Sequence, residues 1–155
     1  MVANGIVMSK LTYLITLWGG AGQYLLNDLQ VQQLRAARLV CGFGSLRWSK
    51  RQLLSRVGWL SVRQLIFYHS VLQVYKTQLT GVPKPLSSSL SVDYLRMTRS
   101  AAAGIIRQQG STARSTFKYR ASKCFNLVPV EVRTGSVAAV KKKLKKWVVS
   151  NIPID

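Results

Sequence analysis

Val7 to Trp18 is a dense apolar run ending at Gly19-Gly20, which predicts a short buried helix or strand stopped by the glycine pair. Lys10 followed by Leu11 to Trp18 and then Gly19 to Gly22 has the outline of a weak signal peptide, but a buried helix ending in glycines accounts for the same residues. From Tyr24 to Cys41 the period is helical. At about 100° per residue, Leu26, Leu29, Ala37 and Val40 share one side and Arg35 lies opposite. Gln30 and Gln33 interrupt the apolar side, so that side is expected to meet a polar partner as well as core. Asp28 suits the positive end of the helix dipole, and Gly42 or Gly44 is the expected stop.

Two capping boxes follow. Ser49-Lys50-Arg51-Gln52 predicts a short helix to Gly58, and Ser61-Val62-Arg63-Gln64 a longer one to Gly81. In each, the Ser oxygen accepts from the N–H three residues on, while the Gln reaches back. The long helix has one apolar face at Leu65, Tyr68, His69, Leu72, Tyr75 and Leu79, and a second at Phe67, Val71 and Val74. Only Arg63, Ser70 and Thr77 form a polar stripe, the pattern of a central helix. His69 has no acid or cysteine near it in sequence and reads as a core or interface histidine.

Val82-Pro83-Lys84-Pro85 and Ser87-Ser88-Ser89 have linker composition. Arg96 to Arg120 is basic and rich in small residues, which predicts a loop. Within it Phe117 and Tyr119 alternate with Lys118 and Arg120 in a short strand-like pattern. Such spacing can set rings on bases and cations on phosphates. Order returns after Ser136. Val137, Val140, Leu144, Trp147 and Val148 form a stripe at helical spacing, Lys142, Lys143, Lys145 and Lys146 fill the rest of the wheel, and Lys141 sits at its edge. Five lysines without an acid repel one another, and a polyanion relieves that repulsion.

Charge sharpens this picture. The 155 residues carry 23 Lys plus Arg against 4 acids, net +19. The basic residues are spread over both halves, so the body is basic rather than a neutral globule with a tail. The four acids, Asp28, Asp93, Glu131 and Asp155, are scattered, which argues against paired-carboxylate or carboxylate-metal catalysis within this chain. One histidine with Cys41 and Cys124 does not make a closed zinc site, and both cysteines read as reduced, buried small hydrophobes of an intracellular protein, nuclear or cytoplasmic. The glycine clusters lack the Lys-Ser/Thr of a phosphate-binding loop. No catalytic residue, metal site or cofactor is assigned. The expectation is binding of polyanions without turnover.

Several stretches, in order, resemble the C-terminal end of the reverse transcriptase of non-LTR, jockey-like retrotransposons. Ser9-Lys10-Leu11-Thr12-Tyr13 to Leu17-Trp18-Gly19-Gly20 is similar to the S-x-L-x-Y-G-x-x-x-W-G segment that follows the palm. Leu29 to Gln33 with Ala36-Ala37-Arg38-Leu39-Val40-Cys41-Gly42 is similar to L-Q-x-x-Q-N-R-A-x-R-x-I-x-G, and Gly58-Trp59-Leu60-Ser61-Val62 to the GWL-S-V step. Arg96 to Ser100, Cys124 to Pro129 and Val137 to Trp147 parallel Y-R-T-R, W-N-x-L-P-x-x-V-R and the closing F-K-x-x-L-K-x-W. The resemblance implies a helical thumb over about residues 20–80, gripping primer-template duplex, and a C-terminal extension that holds RNA or DNA. The palm's Tyr-x-Asp-Asp motif is absent from the chain, so it resembles a piece of an RNA-directed DNA polymerase that begins at a Met inside the element.

The expected fold is mainly α: a small thumb-like helical bundle over 1–81, a loop-rich basic segment over 82–116, and a C-terminal extension over 117–155 with an amphipathic helix. The expected partner is RNA or DNA bound without sequence preference, together with the parent palm. The expected phosphate contacts are Arg35, Arg38, Lys50, Arg51, Arg114, Lys118, Arg120, Lys141, Lys142, Lys143, Lys145 and Lys146, with Phe117 and Tyr119 stacking. The rival readings are a membrane-surface or scaffold module using the Val137–Val148 helix and a relic without function.

Overall fold

The computed structural model of the chain describes residues 4–42, 47–90, 105–106 and 116–154. Among these every regular element is helical: a π turn at Asn4–Met8, α1 (Ser9–Thr12), α2 (Ile15–Trp18), α3 (Gln23–Cys41), α4 (Lys50–Val57), α5 (Val62–Thr80), α6 (Lys84–Ser89), α7 (Phe117–Leu127), a 3-10 turn at Val130–Val132, and α8 (Val137–Asn151). The expected mainly helical class is what is observed. The chain divides into two compact units, Met1–Ile66 with Val149–Asp155, and Phe67–Val148.

The first unit is built on α3 and α4. Leu34, Ala37, Leu53, Leu54 and Trp59 form its core, with Val7, Met8, Trp48 and Ile154 packed against them. Gln30 and Gln33 of α3 are buried, bonded to each other and to backbone groups. Gln33 Nε2 donates to Leu60 O at 2.8 Å, Gln30 Nε2 donates to Gln33 Oε1 at 3.0 Å, and Gln30 Oε1 accepts from Val62 N at 2.8 Å. The polar partner of the α3 face is therefore the start of α5. The tail is fixed similarly, through Gln64 Nε2 donating to Ile152 O at 2.8 Å.

Both capping boxes form. Ser49 and Ser61 each accept from the N–H of the Gln three residues on, at 3.3 Å, and each Gln Oε1 accepts from the Ser N–H, at 2.9 and 3.1 Å. α4 ends at Gly58 in the left-handed region, φ 71 and ψ 22, where a side chain would be strained. α3 stops at Gly42, one of the two expected positions.

The opening segment differs from expectation. Instead of one buried helix it makes two single turns, broken where Leu14 adopts φ 48. Only Ile15 of these turns is buried, while Tyr13, Leu14 and Leu17 are 71%, 51% and 66% exposed. The glycine stop does hold. A Cβ on Gly19 would lie 2.6 Å from Ile15 O and 2.9 Å from Ile66 Cγ2, so only glycine lets α2 end against α5. Val40, expected on the buried side of α3, is also exposed.

In the second unit α5 is the central helix. Phe67, Val71, Leu72, Val74 and Tyr75 are buried, and Phe67 stacks on Trp147 with ring centroids 5.7 Å apart. The Tyr75 hydroxyl donates to Gly135 O. Of the expected polar stripe only Arg63 is exposed. Ser70 and Thr77 are enclosed, and Leu79, expected on the apolar face, faces out. Part of the expected linker is the helix α6, whose Pro85 lies in the first turn, where a missing N–H costs nothing. Asn126 of α7 donates to Ile106 O and accepts from Ile106 N, both at 2.9 Å, replacing the bonds a second strand would make.

Candidate nucleic-acid interface

The basic residues singled out by sequence fall into both units. Arg114, with the rest of the basic stretch at 96, 99 and 107, lies outside the described residues. In the first unit Arg35 is exposed on the outer side of α3, whereas Arg38 is half-buried in the last turn, where a cation suits the negative end of the helix. Lys50 and Arg51 are exposed at the first two positions of α4 and line a groove of about 560 Å³ with Ser49 and the tail Val149–Ile154. Two cations at the positive end of a helix dipole oppose the stability of that helix. They concentrate positive charge beside amides that already favour anions.

The second unit holds the denser cluster. On α8 the stripe Val140, Leu144 and Val148 is buried at 1%, 0% and 0%, and Ser136 Oγ accepts from Ala139 N to start the helix. All five lysines are exposed, but they divide by direction. Lys142, Lys145 and Lys146 lie within about 100° on the side away from the stripe, with Lys141 at the edge beside Val148. Lys143 lies on the flank beside Trp147, and its Nζ donates to Glu131 O at 3.1 Å and Thr134 O at 3.4 Å. It ties the 3-10 turn to α8.

The alternation at 117–120 is not a strand. Thr116 caps α7 by accepting from Tyr119 N, and Phe117, Ala121 and Phe125 recur at helical spacing. On a helix, Phe117 and Tyr119 point about 160° apart, and both are half-buried. A paired stacking platform is thereby lost, because a helical period outweighs a four-residue alternation. Arg120 is half-buried as well. Burial holds its guanidinium below the ordinary arginine value, only partly offset by Cys124. Lys118 is half-buried, and the exposed cation of α7 is Lys123, which sequence reasoning missed. Arg133 was missed too: it is buried, with its guanidinium 4.5 Å over the Phe125 ring.

Cys41 and Cys124 are free and half-buried rather than enclosed. Burial pushes the Cys124 thiol up to about 11, against the pull of Arg120 and Lys123. Burial, then Lys76, lowers the His69 pKa, and the ring sits edge-on to Tyr68 at 5.3 Å, a half-buried packing histidine. Among the described residues no three of His, Cys, Asp and Glu come together, and no described helix is long and apolar enough to cross a membrane. Comparison of the chain with family models, with curated proteins and with solved structures gives no match.

Proposed function

We propose that the chain binds the sugar-phosphate backbone of RNA or DNA without sequence preference, as the thumb and C-terminal portion of a retrotransposon reverse transcriptase whose polymerase centre lies in a separate palm. On this reading it works beside nucleic acid in the nucleus or cytoplasm and performs no catalysis alone. The observation that carries the binding is the α8 face of Lys142, Lys145 and Lys146, exposed opposite a fully buried apolar stripe, with the exposed Lys141 at the stripe's edge and no acid on the helix. Lys50 and Arg51 support it, because their placement costs α4 stability and gains an anion site. The membrane reading loses its ground here: Val140, Leu144 and Val148, which would have to enter lipid, are occupied within the fold.

The test is a fluorescence-anisotropy titration with a mixed-sequence duplex between 50 and 200 mM salt. With six to ten phosphates neutralised, affinity falls by about 10³–10⁵ over that range. Replacing the four lysines by Gln flattens the slope of log K against log salt by about 3 to 4, at about 0.9 per contact. Lys143→Gln leaves the slope in place and lowers the melting temperature. A wild-type affinity indifferent to salt rejects the reading.

A further inference from the structure

The outer side of α3 is unusual for a helix in a basic protein. Tyr24, Asp28, Val31, Arg35 and Leu39 fall within about 80° of one another, on the side opposite the buried Gln30, Gln33, Leu34 and Ala37. All five are exposed, Tyr24 at 70%, Val31 at 46% and Leu39 at 85%, the last being the most exposed large apolar side chain among the described residues. The stripe carries one acid and one base, and they stand two turns apart. Seven residues of helix separate them by about 10 Å, too far for a salt bridge along the helix itself.

The stripe is self-complementary when reversed. Residues 24 and 39, 28 and 35, and 31 and 32 are each symmetric about a point midway between Val31 and Gln32. A second α3 laid antiparallel across that point, at about 8–10 Å between axes, sets Asp28 of each chain opposite Arg35 of the other. It sets Tyr24 opposite Leu39 at both ends, with the two Val31 side chains at the centre. Both charges are then paired and both exposed apolar ends are covered, in the isologous arrangement of a two-fold dimer. A parallel pairing would instead set Asp28 against Asp28 and Arg35 against Arg35. From this register we infer that the occupant of the α3 surface is a second copy of this chain, docked antiparallel through Tyr24, Asp28, Val31, Arg35 and Leu39.

One helix face per partner is less than the roughly 800 Å² of a standard interface, and two bodies of net +19 repel. The dimer is therefore weak. It tightens as salt screens the net charge. This association is independent of nucleic-acid binding and is tested without it.

The experiment is sedimentation equilibrium of the full chain at up to 200 µM, in 0.15 M and 0.5 M salt. Wild type is expected to dimerise in both, more strongly in the higher salt. Leu39→Glu and Val31→Glu, both at exposed sites, are each expected to be monomeric. At 0.15 M, Asp28→Arg and Arg35→Asp each create two like-charge contacts and weaken association by at least about tenfold, while the double reversal D28R/R35D restores it. A wild type that stays monomeric in both salts overturns the proposal. A double reversal that remains as dissociated as the single variants also overturns it.

Discussion

Ser70 and Thr77 are seven residues apart on the same side of α5, 1% and 0% exposed, and neither hydroxyl has a hydrogen-bond partner among the described residues. A buried hydroxyl without a partner costs its desolvation, about 1–3 kcal/mol. Valine has nearly the shape of threonine and a similar helix propensity. Thr77→Val is therefore expected to stabilise the protein by about 1 kcal/mol, a rise in melting temperature of about 2–4 °C for a chain of this length. Thermal unfolding followed by circular dichroism measures it, and a drop would mean that the hydroxyl has a partner in solution. The stripe looks polar in sequence and is buried in the fold. Hydroxyl residues supply a polar letter with a small body, so a period analysis places them outside even where close packing needs them within.

At the scale of elements, the legible features were those fixed by near neighbours. Both Ser-x-x-Gln boxes, the glycine stops at 42 and 58, and the α8 stripe depend on contacts within a turn or two, and all stand where the sequence put them. What failed depended on depth or distance. The apolar content of residues 7–18 could not show that only Ile15 of that segment is buried, and Gln30 and Gln33 gave no sign that their partners would be Leu60 and Val62. The candidate site divides the same way. The outward lysines were legible from the wheel, but the half-burial of Arg120 and the bonds of Lys143 to two carbonyls distant in sequence were not. Placement on an element also sets a trade between stability and binding in α4. Replacing Lys50 and Arg51 by Glu gives its N-terminus the charge a helix dipole prefers, worth about 0.3–1 kcal/mol each at low salt. The Ser49–Gln52 cap is untouched. The double variant is expected to melt higher than wild type and to lose about 2 units of salt slope in duplex binding. A variant that melts lower, or binds with an unchanged slope, would show that these two residues hold the fold together instead.

Taken whole, the molecule confines 23 cations and 4 acids within one 155-residue chain. Self-repulsion of this kind opposes compactness, and dissolved ions screen it over a Debye length of about 10 Å at 0.1 M. Stability and binding must then respond to salt with opposite signs. Moving from 20 to 500 mM NaCl weakens nucleic-acid binding, because released counterions gain less entropy in a salty solution. The same change raises the melting temperature of the protein alone, because its own charges repel less. A polyanion should substitute for salt. At 20 mM NaCl, a mixed-sequence duplex at 100 times its dissociation constant adds about 2.7 kcal/mol if it binds only the folded chain, a rise of about 5–10 °C. At 500 mM NaCl the same duplex concentration adds almost nothing. The glutamine variant of Lys141, Lys142, Lys145 and Lys146 should start from a higher melting temperature in low salt and gain less from either addition, since it has less repulsion to relieve. Differential scanning calorimetry over this grid of salt and duplex separates the two effects. A melting temperature that falls as salt rises, with no duplex present, would mean that attractive ion pairs hold this fold, and the polyanion would lose its physical reason to be there.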